Sequence, residues 1–259
     1  MEFLYLSVAL FSTTIGALSG LGGGVIIKPV LDAASPFDAA TISLLSSFTV
    51  LSMAMVSTVR QYHSGVSFEG KKSLWIVIGS VMGGISGKFL FSLTVGALNN
   101  PSLVTAIQSA ILALLLLLVL FYLRGKNIRS LHIHNNLIVI LSGFLLGLIA
   151  SFLGIGGGPF NVVLLTLLFS MDSRAAAAHS ILIILFSQSA KLITVMADGG
   201  FAGYDLSALF YMIPGGVAGG LLGAWLNRRL ERATIQILFR TVVFMIILLN
   251  LYNFLRAVL

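Results

Sequence analysis

The chain has 259 residues, of which 58% are hydrophobic and only 9% charged, with a mean hydropathy of +1.07. Soluble domains carry about 25% charged residues, and no polar stretch here exceeds about 15 residues, far short of a domain, so the composition excludes a soluble domain and leaves an integral membrane protein. The net charge of +7 falls in short loops between apolar segments, where it reads as membrane orientation and not as nucleic-acid binding; with no cysteine, disulfide and thiol chemistry are excluded as well.

Taken in order, the first apolar segment runs from Phe3 to Ser19. It lacks a basic leader and a cleavage site, so it reads as a retained span. Gly20–Leu21–Gly22–Gly23–Gly24 interrupts it, and a short piece, Val25–Ala34, follows. Four glycines in five positions argue against a continuous helix. A turn with Pro36 leads to Ala39–Val59, then to the loop Arg60–Lys72, and then to Ser73–Val95 and Leu103–Leu123. The basic stretch 125–136 separates this part, residues 1–124, from residues 137–259. The second part opens with Leu137–Leu153, another glycine loop (Gly154–Ile155–Gly156–Gly157–Gly158) and Pro159–Ser170. Ala175–Ala197, Asp205–Leu226 and Thr234–Leu255 complete it.

The two parts repeat at an offset of 134 residues. Gly20 falls on Gly154, Gly22 to Gly24 on Gly156 to Gly158, Asp38 on Asp172, Ser46 on Ser180 and Gly65 on Gly199. After a two-residue slip, the glycines at 79, 83, 84 and 87 fall on those at 215, 219, 220 and 223. Charge discriminates between parallel and inverted repeats. If each glycine-broken segment crosses the membrane once, the repeats are parallel and Arg60 lies opposite Arg174 and Arg228. If each loop turns the chain back, Arg60, Lys71, Lys72, Arg124, Lys126, Arg129, Arg174, Arg228, Arg229 and Arg232 share one face, leaving Arg256 and Lys28 on the other. The second arrangement fits the positive-inside rule far better. The expected fold is therefore an all-α integral membrane protein. It has two inverted homologous repeats, each a glycine-broken helical hairpin plus three transmembrane helices. The basic loops face the cytoplasm and both chain ends lie outside.

A helix restarting after a glycine loop presents unpaired amides and the positive end of its dipole, which suits an anion. Paired interruptions in two halves point to a transporter's binding site. The candidate binding residues are Gly22, Gly23, Gly24, Ser46, Gly156, Gly157, Gly158, Asn161, His179, Ser180, Gln188 and Lys191. Hydroxyls and amides can bind an oxyanion, and Lys191 would add charge. The competing readings are helix packing for the loops and serines, and snorkelling for Lys191, Lys88 and Arg240. His179 could carry a proton or simply pack. Gly79–Gly87 and Gly215–Gly223 read as packing ridges, and Asp38 and Asp172 as helix N-caps. No metal set, nucleophile–base–acid trio or phosphate-cradling motif is found; His63, His132 and His134 lack a carboxylate cluster. No cofactor is expected, and the partners are the bilayer and a small anion. A homodimer is left open.

Gly16–Ala17–Leu18–Ser19–Gly20–Leu21–Gly22–Gly23–Gly24 with Pro29, and the run from Gly147 to Pro159, resemble the TauE/SafE family of membrane permeases. The resemblance covers nearly the whole chain and includes the duplication and the His179–Ser180 helix opening. The family's hydroxyl-bearing dipeptide appears here as Leu45–Ser46 and His179–Ser180, so the first positions depart from a Thr-Ser pattern. The resemblance implies transport, usually export, of sulfur-containing anions such as sulfite, sulfoacetate, taurine derivatives or thiosulfate. It places the protein in the plasma (inner) membrane. The expected activity is secondary transport by alternating access, the halves rocking about the loops. A passive anion channel and a membrane-embedded enzyme are the alternatives.

Overall fold

The computed structural model describes residues 2–63, 70–124, 130–133 and 135–258. Glu69, Lys126, Arg129, His134 and the Gly65 of the repeat lie outside them. The described residues form ten helices: α1 (Glu2–Ser19), α2 (Gly24–Ala34), α3 (Ala39–His63), α4 (Gly70–Leu98), α5 (Pro101–Arg124), α6 (Asn136–Leu153), α7 (Pro159–Phe169), α8 (Ser173–Ala197), α9 (Leu209–Arg229) and α10 (Arg232–Val258). Eight are long and apolar enough to cross a membrane; α2 and α7, 11 residues each, are not. Each short helix follows a glycine loop, as the broken pattern predicts. Large apolar side chains such as Phe3, Phe89, Phe121 and Met245 point outward, as a lipid-facing surface requires.

Helix starts are set by local chemistry. Asp38 Oδ1 accepts from the Thr41 amide at 2.9 Å and Asp172 Oδ1 from the Ala175 amide at 2.7 Å, so both aspartates are N-caps. Asn135 caps α6 in the same way, accepting from Leu137 N at 2.9 Å.

Packing follows the glycine ridges. Gly79, Gly83 and Gly87 of α4 face the α6 backbone at Ile140, Phe144 and Leu148, while Gly143 and Gly147 of α6 face Ile76 and Ser80. On α9, Gly215, Gly219 and Gly223 face the α1 backbone at Leu6, Leu10 and Thr14. The adjacent glycines turn to a second neighbour: Gly84 meets Ser187 of α8, and Gly216 and Gly220 meet Thr49 and Met53 of α3. A side chain at these positions would enter the neighbouring backbone, so dispersion between close backbones takes over where lipid removes the hydrophobic drive. Two helix groups result, α1 with α3 and α9, and α4 with α6 and α8, meeting along α3 and α8. α5 packs against α10 outside them. Exchanging α1–α5 for α6–α10 maps each of the main pairings onto another or onto itself.

Lys88 forms an ion pair with the exposed Asp198, just past α8. Lys191 is fully buried.

Substituting Leu at Gly83, where even a β-carbon would meet the Phe144 carbonyl and the Leu148 amide, should abolish monodisperse protein in size-exclusion chromatography. Gly96→Ala is the control. Nothing lies within 4 Å of a β-carbon there, so it should gain about 0.5–1 kcal/mol of stability from helix propensity.

Candidate functional site

The two glycine loops cross each other. A β-carbon on Gly22 would lie 3.1 Å from the Gly156 carbonyl oxygen, and one on Gly24 would run into the Ile155 carbonyl. Backbone touches backbone here, which only glycine permits. Gly156 and Gly157 also adopt positive φ, 67° and 108°, a region that other residues enter at a cost. The opposite faces are closed by apolar side chains: Ile184 of α8 covers Gly22 and Gly157, and Val50 of α3 covers Gly156.

Three buried polar side chains lie against the crossing. A β-carbon on Gly24 would come 2.9 Å from Ser46 Oγ, one on Gly157 2.8 Å from Asn161 Nδ2, and one on Gly156 3.6 Å from Gln188 Cγ. Ser46, Asn161 and Gln188 are all 0% exposed. The Ser46 hydroxyl and both polar atoms of each amide have no hydrogen-bond partner among the described residues. The amides of Gly156, Gly157 and Gly158 likewise donate to no described group. Neither α2 nor α7 has a side-chain cap on its first turn. A buried amide without partners costs about 1–3 kcal/mol, and five such polar atoms belong to side chains packed against the loops.

One turn beyond Gln188, Lys191 Nζ donates to Ser43 Oγ at 2.6 Å, Ser47 Oγ at 2.8 Å and the Ser43 carbonyl at 3.3 Å. No carboxylate pairs with it among the described residues. Lys191 therefore ties α8 to α3 one turn from the unpartnered Gln188 amide.

The remaining predicted residues are placed differently. Ser180 Oγ donates to the Gly20 carbonyl at 2.7 Å, fastening α8 to the first loop. His179 turns towards α4, with Nε2 3.0 Å from Ser73 Oγ and Nδ1 2.9 Å from the Ala175 carbonyl. Gly23 backs onto Ser12 and Thr13 of α1, and Gly158 onto Phe160 and Val25. Two features were missed in the sequence. One is a basic vestibule: Arg60, Arg174 and Arg228 line a cavity of about 140 Å³, and Arg174, Asn227 and Arg240 line a second of about 230 Å³. Both reach Ala177, whose Cα lies against Gly20. The other is a buried ion pair, Lys28–Asp32 at 2.8 Å, whose i,i+4 spacing in an apolar segment was the available signal.

The family model described as sulfite exporter TauE/SafE matches residues 5–250. Among curated proteins, the chain is similar to a Bacillus subtilis (strain 168) protein described as a probable membrane transporter, YunE. The two are 27% identical, the match covering 95% of this chain and 96% of the relative. No solved structure matches.

Asn161→Leu and Gln188→Leu each replace an unpartnered amide by an apolar group of similar size. In thermal unfolding of the ligand-free protein, each should raise stability by about 1 kcal/mol or more. A fall in stability in both variants would mean that the amides already have partners in the empty protein.

Proposed function

The chain belongs to the sulfite exporter TauE/SafE family, and from that premise we propose that it is a secondary transporter that carries a small sulfur oxoanion or organosulfonate out of the cell. The observation that carries this reading is the set of unpartnered buried donors at the loop crossing, beside a lysine with no carboxylate. Asn161, Gln188, Ser46 and the glycine amides would hold the oxyanion, and Lys191 would supply the opposing charge. Sulfite and sulfonates present three oxygens on a tetrahedral or pyramidal sulfur, which suits several donors converging from two loops. Ser180 would position the first loop, and His179 would fix α8 against α4.

The halves would be inverted, residues 1–124 against 137–259. This is supported by the vestibule, since Arg60, Arg174 and Arg228 line one cavity, whereas parallel repeats would put Arg60 on the opposite face from the other two. Asp32, Asp38, Pro101 and Arg256 line a cavity together, consistent with a single opposite end. The vestibule end would then face the cytoplasm, with the plasma membrane as location. Alternating access would rock the group α1, α3 and α9 against the group α4, α6 and α8 along the α3–α8 seam. The backbone contact between the loops favours such a carrier over an open channel.

In a thermal-shift screen against sulfite, sulfate, thiosulfate, taurine, sulfoacetate, phosphate and acetate, one sulfur anion should stabilise the protein. The gain should reach about 2.7 kcal/mol at a hundredfold excess over Kd, and it should vanish in Gly157→Leu and Asn161→Leu. Stabilisation by cations or apolar ligands alone would overturn the proposal.

A further inference from the structure

The repeat makes the Lys28–Asp32 pair conspicuous. At the 134-residue offset its counterparts are Val162 and Thr166, and around those two the protein opens the 230 Å³ vestibule cavity, together with Ser19 and Val163. Around Lys28 and Asp32 the equivalent space has no room for water; Pro29, Gln108, Ser109, Leu153 and Asn250 complete it. Both charged side chains are 3% exposed. A buried ion pair within the bilayer is costly and adds little stability over an apolar pair, and the second half does without one.

Two neighbours give the pair a use. Gln108 Nε2 donates to the Phe152 carbonyl at 2.6 Å, but among the described residues its Oε1 has no partner, and neither has Ser109 Oγ. Both line that space with Asp32. An ionised carboxylate cannot use an acceptor, whereas a protonated one needs one for its O–H. Asp32 also borders a second cavity, of about 220 Å³, at the Asp38–Arg256 end, so a proton can reach it from that side.

We infer that Asp32 is the proton-coupling site of the transporter. The proton adds to a carboxylate oxygen, the neutral acid donates to Gln108 Oε1, and Lys28 keeps its charge without its partner. Lys28 lies one helical turn beyond Gly24 of the first loop. With Asp32 neutral, Lys28 stands as an uncompensated cation one turn from the first loop, and an anion at the crossing restores neutrality. Proton and anion binding thus favour each other. The other charged groups near the pair are Asp38, which precedes α3, and Arg256 of α10, whose Nη1 donates to the Ala33 carbonyl at 2.7 Å. From α5 and α6 the facing groups are the neutral Gln108, Ser109 and Leu153.

The inference rests on the anion-transport reading, and the test separates the two. The full chain is reconstituted in liposomes containing a pH dye, and methanesulfonate, which has no titratable group of its own, is applied as a gradient. Wild type should take up the anion with simultaneous acidification of the lumen. Asp32→Asn should keep uptake and lose the proton signal. A proton signal at the wild-type ratio in Asp32→Asn, or wild-type uptake without proton movement, overturns the inference. No uptake at all counts against the transport reading, and infrared difference spectroscopy then decides the proton site by itself. A carboxylic C=O band that appears on acidification and is missing in Asp32→Asn supports the site, and absence of that band in wild type overturns it. Should Asp32→Asn fail to fold, Gln108→Leu removes the acceptor, together with the amide's bond to the Phe152 carbonyl; the band should then appear at lower pH, and an unchanged position counts against the inference.

Discussion

Everything in this molecule depends on two backbones touching where a membrane protein can least tolerate broken helix. In hydrocarbon, an interrupted helix leaves amides and carbonyls with no water to turn to. Here the two interruptions are brought against each other, Gly22 and Gly24 against Gly156 and Ile155, and are roofed by Ile184 and Val50. Burial in protein replaces exposure to lipid, but it does not supply every donor with an acceptor. Unsatisfied amides remain beside the two loops, where a ligand could satisfy them. The fold thereby stores, in its empty state, part of the free energy that binding would release.

The same residue type is used in two ways that the chain keeps apart. In the loops, glycine provides positive φ and lets two turns cross. In α4, α6 and α9, it lies in regular helix and only brings axes together. The ridges have two faces, because neighbouring glycines address different helices: Gly83 meets α6 and Gly84 meets α8. Each ridge thus joins helices from both parts of the sequence, and the packed groups do not coincide with the repeats. A carrier with this packing would move as two mixed bundles.

The fold was legible because its signals are one-dimensional. Apolar length gives spans, glycine clusters give breaks, and the aspartates at 38 and 172 mark helix starts that the backbone confirms. The site was partly legible. Asn161, Gln188 and Ser46 could be picked out as polar residues near the breaks, but the sequence could not say which would be left without partners. Ser180 and Ser46 match in the repeat, yet only Ser180 has found a carbonyl. Lys191 could as well have snorkelled; that it binds Ser43 and Ser47 depends on α3 and α8 meeting, a contact between residues 144 or more apart. Lys28 was counted only as a charge on one membrane face and Asp32 was not singled out, because each was weighed singly.

The tight seam between α1 and α9 has a consequence for how the protein is made. About 190 residues separate the end of α1 from the start of α9, which at about 5–20 residues per second takes roughly ten to forty seconds. Through that interval α1 must wait in the bilayer with the face that will meet α9 still uncovered. Its hydroxyls are suited to waiting: Thr13 donates to the Ala9 carbonyl at 2.6 Å, Thr14 to Leu10 at 2.6 Å and Ser19 to Ile15 at 2.6 Å, all within the same helix. The hydroxyls of the first span thus have backbone partners in their own helix before α9 exists.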